Sequence, residues 1–209
     1  MIYLSNNFIN SSILYKPVSM LIIWAILFSS DFLMKYWGTC LYYKQVKNVL
    51  KLQSGYYIKL LPEDKLKNIP YLLTLFLFEL ILSSLALWLL LYTTKLYINW
   101  HLYTLICGFF ILLEACIHFR HIRTVAFFSL FKGNHSFGGI ISVPNLVVHS
   151  NAIIEYATFG IGFLLIFLFD VNNYFVQGGI LACLFAFSYH IILNSKEKHR
   201  INMQSEQSK

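Results

Sequence analysis

Residues 71–93, "YLLTLFLFELILSSLALWLLLYT", carry a single charged side chain, Glu79. A helix needs about 20 mostly apolar residues to cross the roughly 30 Å of hydrocarbon in a bilayer. This stretch is therefore predicted to be a transmembrane helix. Four more apolar blocks of comparable length lie on either side of it, and the predicted spans run at about 18–42, 71–93, 102–126, 150–170 and 174–194.

The composition of the whole chain agrees with this pattern. The chain has 209 residues, of which 58% are hydrophobic and only 12% are charged, about half the charged fraction of a soluble domain. We predict an all-α bundle of about five spans, forming one transmembrane domain over residues 1–209. The connecting segments 43–70 and 127–149 and the polar tail 195–209 are predicted to lie in the cytosol. The start of segment 43–70 is a candidate amphipathic interfacial helix, and the glycine-containing segment 129–149 is a candidate for re-entry at the membrane edge.

The distribution of basic residues predicts the orientation. All but Lys16 and Lys95 of the 16 lysines and arginines fall in segments 43–70 and 127–149, in the tail, or near the predicted inner ends of spans one and three. Basic residues favour the cytosolic side of a membrane. The N-terminus is therefore expected outside and the C-terminus in the cytosol, in a multi-pass protein of the plasma membrane. The net charge of +7 has the same cause, so we do not expect nucleic acid as a partner.

Residues 112–128, "LLEACIHFRHIRTVAFF", hold an unusual group of polar side chains for an apolar block. Glu114, His118 and His121 are spaced i, i+4, i+7 and share one helical face, whereas Arg120 and Arg123 fall on roughly the opposite side. The arginines admit two interpretations. They are either anchors that pair with lipid phosphate, or a binding site for an anionic headgroup or substrate group.

Every predicted span contributes at least one ionisable side chain, and most of these are expected in the cytosolic half of the bilayer. Such residues usually face the interior of a helix bundle and pair with one another. The hypothesis is a cytosol-facing polar pocket that binds a lipid or a small anionic ligand. The candidate residues for this pocket are Asp31, Lys35, Glu79, Glu114, His118, His121, Glu155 and His190.

Five of these eight candidates also have a purely structural interpretation. Asp31 and Lys35 are four residues apart and can satisfy each other. Glu79 can bond a serine one turn further on, and Glu155 can act as a favourable charge near a helix N-terminus. A lone histidine near a helix end, such as His190, is commonly a hydrogen-bonded packing residue. These alternatives stay open at the level of sequence.

Glu114, His118 and His121 are also candidate metal ligands, because imidazole and carboxylate suit Zn, Fe or Mn. Their spacing differs from the Glu-x-x-His of di-iron bundles, and we expect protein-paired side chains here rather than a metal. Bis-histidine haem is less expected still, because His118 and His121 share one helix. The four cysteines lack a Cys-x-x-Cys spacing and are expected to be small buried hydrophobes. Small residues at 159–163 and 177–183 predict close helix packing.

Two stretches, "SDFLMKYWGTCLYY" and "HFRHIRTVAFF", resemble a set of uncharacterised prokaryotic multi-pass membrane proteins. Their shared features are an Asp-aromatic-x-x-Thr motif in the first span, an Asn-Pro after the following loop and a His-x-Arg-His motif in a later span. The likeness covers about residues 30–155. Lys35 stands where the pattern has Thr, Leu61 stands before Pro62 where it has Asn, and Thr124 follows the arginine where it has Asn. The resemblance implies a prokaryotic membrane protein and no particular activity.

Three classes of function compete at this stage. A membrane-embedded assembly protein needs no open pocket. A transporter or channel subunit needs polar residues along a route between the two faces, and a lipid-modifying enzyme needs a pocket open to one leaflet. The polar residues are concentrated on the cytosolic side, which favours a one-sided site over a pore. The sequence leaves open whether the chain is an enzyme and whether it forms oligomers.

Overall fold

The computed structural model describes residues 17–47, 50–52, 63–97, 99–131 and 141–207. Five helices in this part of the chain are long and apolar enough to cross a membrane, which confirms the predicted all-α class and the predicted number of long apolar helices. They are α1 (Pro17–Leu41), α2 (Ile69–Tyr97), α3 (Trp100–Ser129), α4 (Asn145–Phe169) and α5 (Tyr174–Gln207).

Asparagine residues mark the starts of three of these helices. The side-chain oxygens of Asn68, Asn99 and Asn173 accept hydrogen bonds from backbone N–H groups in the first turns of α2, α3 and α5, at 3.2, 3.0 and 3.2 Å. The first N–H groups of a helix have no partner within it, so such caps fix where it begins. These asparagines therefore fix the first residues of the three helices, which hydropathy alone locates only approximately.

Three helix boundaries differ from those predicted. α4 begins at Asn145 and not near residue 150, which moves its polar residues deeper into the helix. α5 continues to Gln207, so the predicted polar tail is helical over almost all of its length. The start of segment 43–70 is not a separate interfacial helix, because Tyr42–Val46 continue α1 as one π-helical turn.

The two predicted cytosolic segments are joined by a short parallel strand pair. β1 (Leu50–Leu52) lies beside β2 (Ile141–Val143), with Leu50 opposite Ile141. A short helix at Glu63–Leu66 precedes α2. The predicted re-entry of segment 129–149 into the membrane falls mainly on residues 132–140, outside the described residues.

Successive helices alternate in direction, so α1 and α3 run parallel. Near their starts Met20 and Tyr103 share one buried cluster, and near their ends the rings of Tyr42 and Phe128 lie 5.8 Å apart. α3 packs closely against both α1 and α5, and α5 packs closely against α4. α3 therefore lies between α1 and α5, and α4 packs on the bundle mainly through α5.

The contact between α3 and α5 depends on glycine. A side-chain Cβ at Gly108 would overlap the backbone of Phe175, and one at Gly178 would overlap the backbone of Leu105. The two helix backbones thus approach more closely than alanine allows, which is the small-residue packing common between membrane helices. This confirms the close packing predicted for 177–183, and Gly108 is its unpredicted counterpart on α3.

We expect Gly108→Ala and Gly178→Ala to destabilise the protein, because the added methyl group forces α3 and α5 apart at a cost of about 1–3 kcal/mol. Gly162 is a matched control, since a Cβ there would meet nothing within 4 Å. Gly162→Ala should be neutral or stabilising by up to about 1 kcal/mol, through its higher helix propensity. Thermal unfolding in detergent measures all three variants. Equal melting temperatures would contradict this packing.

Candidate functional site

The polar residues of α3 face two different neighbours. His118 and His121 face α1, whereas Arg120 and Arg123 face α4. The helical periodicity of 112–128 predicted this division. The structure adds that both faces are occupied by protein partners. Each face forms its own cluster, named here the histidine cluster and the arginine cluster.

The histidine cluster joins α3 to the middle of α1. The Asp31 carboxylate contacts Nδ1 of His121, and both side chains are largely buried. One turn away along α3, the Ser30 hydroxyl lies 3.4 Å from Nδ1 of His118. The partner of Asp31 is thus His121 on another helix, and not Lys35 on its own helix. An acidic group held against an imidazole at this depth satisfies both polar groups without water.

Glu114 extends the histidine cluster toward the centre of α3. It is only 7% exposed, and it lies close enough to Asp31 for their charges to interact. Within the described part of the chain its carboxyl group has no ion-pair partner. A second buried negative charge beside Asp31 is costly unless a partner offsets it, so Glu114 is the least compensated member of the histidine cluster.

The arginine cluster joins α3 to α4 through one carboxylate. Oε2 of Glu155 lies 2.9 Å from Nε of Arg120, and Oε1 contacts Arg123. The oxygens of Glu155 are buried and lie at ion-pair distance without an aligned hydrogen bond. The side chains of Glu155 and Arg120 are 13% and 16% exposed, whereas that of Arg123 is 52% exposed. Two guanidinium groups therefore share a single negative charge.

This ion pair bears on two interpretations drawn from the sequence. Both arginines contact Glu155, so part of their charge is balanced within the protein. Glu155 is not a charge near the N-terminus of a helix, because α4 begins ten residues before it at Asn145. It lies almost three turns inside α4, where a carboxylate needs a partner.

The arginine cluster continues across α4 to α5. Tyr156 accepts a hydrogen bond at 3.1 Å from the Arg120 guanidinium and stacks on His190, with ring centroids 5.7 Å apart. Nδ1 of His190 lies 3.3 Å from Nδ1 of His149. His190 is thus part of a polar chain and not a lone packing residue. Sequence reasoning missed His149 and Tyr156, although their i, i+7 spacing places both on the α4 face that meets α5.

A cleft opens beside the exposed arginine. α3 and α4 make few close backbone contacts, and long side chains bridge the space between them. The cleft has a volume of about 270 Å³ and combines charged, polar and apolar walls. Its lining residues are Arg123, Thr124 and Phe127 from α3 and Asn151, Ile154 and Glu155 from α4.

The predicted single pocket is therefore divided. Asp31, Glu114, His118 and His121 gather on one side of α3, and Glu155 and His190 join Arg120 on the other. Lys35 lies on α1 one turn beyond Asp31, and its backbone carbonyl accepts a hydrogen bond from Thr39 at 2.7 Å. Glu79 lies on the exposed surface of α2, and the structure brings it to neither cluster.

The metal hypothesis finds no ligand set in the residues that the structure describes. No group of three or more His, Cys, Asp or Glu side chains there is placed to hold a metal ion. Among the three proposed ligands, His118 contacts Ser30 and His121 contacts Asp31. Glu114 contacts neither Ser30 nor Asp31 at hydrogen-bond distance.

Comparisons of the chain with protein-family models, curated proteins and solved structures find no match. Function is therefore inferred from the geometry of the two clusters and the cleft.

Proposed function

We propose that this is a polytopic membrane protein that binds an anionic, phosphate-bearing lipid headgroup in the cleft between α3 and α4. The observation that carries the proposal is a half-exposed guanidinium, Arg123, at the wall of a cleft of about 270 Å³. The proposal stands on the charge balance of the arginine cluster, on the walls of the cleft and on its expected depth in the membrane.

The charge balance favours an anion. Arg120 and Arg123 share only the carboxylate of Glu155, so the group has a net charge of one positive unit. Glu155 fixes the buried Arg120, and the more exposed Arg123 retains donors that face the cleft. A guanidinium presents parallel N–H groups that match two phosphate oxygens. Phosphate would therefore complete the charge balance without an uncompensated buried charge.

The walls of the cleft suit an amphipathic ligand. Phe127 and Ile154 supply apolar surface beside Arg123 and Glu155, and both of these apolar side chains are exposed. Pockets that combine apolar surface with a few fixed polar groups are typical of ligand sites. A lipid can place its headgroup at Arg123 while its acyl chains stay among the outward-facing side chains of α3 and α4.

The proposed orientation places the cleft in the cytosolic leaflet of the plasma membrane. The alternating helix directions agree with five crossings, and the basic residues of segments 43–70 and 127–149 favour the cytosol. The cytosolic leaflet carries anionic lipid and attracts basic residues. The polar sites are one-sided in this arrangement, as expected for a lipid-binding protein and not for a pore.

Replacement of Arg123 should weaken the binding of anionic lipid selectively. We expect Arg123→Gln to raise the dissociation constant for phosphatidic acid about tenfold, because it removes a charge-assisted hydrogen bond. Glu155→Gln should instead tighten binding, since it removes the competing negative charge. Native mass spectrometry of protein in neutral detergent, titrated with phosphatidic acid or phosphatidylcholine, measures both effects.

Arg200→Gln is a matched control, because Arg200 is also half-exposed and ion-paired, with Glu197 at 2.6 Å, but lies on α5 and is not part of the cleft lining. A parallel titration with inorganic phosphate separates a lipid site from a site for the free ion. Equal binding of phosphatidylcholine, or unchanged binding by Arg123→Gln, would contradict the proposal.

The proposed orientation can be tested separately. A reporter fused after Ser208 should be active only if it is of a type that works in the cytosol, because the basic segments fix the C-terminus there. A fusion at residue 98, between α2 and α3, should show the opposite pattern. Activity of a periplasmic reporter at Ser208 would invert the topology and remove the cleft from the cytosolic leaflet.

A further inference from the structure

Two of the four cysteines lie side by side in the interior of the bundle. Cys116 of α3 and Cys183 of α5 are free thiols, and each is only 2% exposed. Both belong to one buried cluster with Tyr156 of α4, and their thiol groups are within hydrogen-bonding reach of each other. Sequence spacing does not reveal this pair, because it forms between two helices. Two thiols in contact can be converted to a disulfide, which a lone buried thiol cannot form.

The spacing between α3 and α5 suits a disulfide at this level. The two helices run in the same direction, and Leu112 faces Gly179 one turn before the two cysteines. A Cβ placed on Gly179 would lie 3.3 Å from the Cβ of Leu112. The Cβ atoms of a disulfide are roughly 3.5–4.5 Å apart. An S–S bond between Cys116 and Cys183 therefore needs little movement of either backbone.

The other two cysteines have different surroundings. Cys107 is also 2% exposed, but it lies nearer the start of α3, in the cluster of Met20 and Tyr103. Cys40 lies on α1, where it is half-buried and interacts with Tyr36. Neither shares a buried cluster with a second cysteine in the described part of the chain. Cys107 therefore provides a control of equal burial on the same helix as Cys116.

The position of the pair favours an oxidant that dissolves in the bilayer. Both cysteines lie within predicted spans, and the aromatic side chains of Phe159, Phe163 and Phe187 pack against their cluster. A charged, water-soluble oxidant such as glutathione disulfide would lose its hydration on entering these surroundings. A quinone is planar and uncharged, and it accepts two electrons and two protons without leaving the hydrocarbon.

We propose that Cys116 and Cys183 are a redox-active pair that a lipid-soluble quinone oxidises to a disulfide, joining α3 to α5. In this step the two S–H bonds break and one S–S bond forms. The pair loses two electrons and two protons. All of these pass to the quinone, whose two carbonyl oxygens become the hydroxyl groups of a hydroquinone. The reaction balances with the quinone as the only co-reactant.

Thiol counting in lipid nanodiscs tests the proposal. Reduced protein is incubated with decylubiquinone, unfolded, treated with a maleimide and weighed intact by mass spectrometry. We expect two of the four thiols to escape the label, the chain to lose the mass of two hydrogen atoms, and one hydroquinone to form per protein. A proteolytic fragment that links Cys116 to Cys183 identifies the bond. Glutathione disulfide at equal concentration should react at least about tenfold more slowly, because it reaches the buried pair poorly.

Single variants separate the pair from the other thiols. Cys116→Ala and Cys183→Ala should each keep all three remaining thiols after treatment with the quinone. Cys107→Ala, the control of equal burial, should still lose two. In the parent chain and in Cys107→Ala, oxidation should raise the unfolding temperature by about 5–10 °C, because a disulfide restricts the unfolded chain. Cys116→Ala should show no such rise.

Four labelled thiols in the treated parent chain overturn the proposal. So does a covalent quinone adduct, or a disulfide that includes Cys40 or Cys107. Equal rates with decylubiquinone and glutathione disulfide overturn the choice of oxidant. The linked fragment is read from the parent chain, so a variant that fails to fold does not remove the test. None of these outcomes bears on lipid binding at Arg123, which is titrated with reduced protein.

Discussion

A charged side chain in hydrocarbon is costly without a partner, and two such pairings join α3 to its neighbours. Charged groups in membrane helices are costly, so they occur where protein can satisfy them. The predicted span within α3 carries more of them than any other predicted span: Glu114, Arg120 and Arg123. Glu155 of α4 holds Arg120 and Arg123 on one side, and Asp31 of α1 holds His121 on the other. The order of neighbours around α3 follows from these two pairings.

Apolar packing supplies what the polar pairings cannot. Gly108 and Gly178 let α3 and α5 approach until their backbones touch, and this fixes their separation. Between α3 and α4 the reverse holds, because long side chains bridge helices whose backbones stay apart. The cleft is a consequence of that bridge: ion pairs hold the helices together at a distance that apolar side chains do not fill.

The sequence was sufficient for the parts of the fold that depend on one helix at a time. Hydropathy placed the five spans, and the periodicity of 112–128 correctly separated the histidines from the arginines of α3. Periodicity does not say which neighbour a face meets, however, because that depends on packing between helices. The polar residues were therefore expected in one pocket, whereas α3 stands between two clusters.

Errors at helix ends caused the other differences. His149 was assigned to a loop and Glu155 to a position near a helix N-terminus, because the start of α4 was placed near residue 150 and not at Asn145. Hydropathy finds where an apolar stretch begins, and the polar first turn of α4 lies before that point. The same limitation hid the helical tail, where α5 continues through a polar sequence with a Glu197–Arg200 pair at i, i+3.

Double-mutant cycles on thermal or denaturant unfolding test the division into two clusters most directly. The account predicts coupling of about 1 kcal/mol or more between Asp31→Ala and His121→Ala, and likewise between Glu155→Ala and Arg120→Ala. It predicts less than about 0.5 kcal/mol between Asp31→Ala and Glu155→Ala, which share no partner. Coupling between Asp31 and Glu155 as large as that within either pair would show one continuous polar network, and would contradict the separation of the two faces of α3.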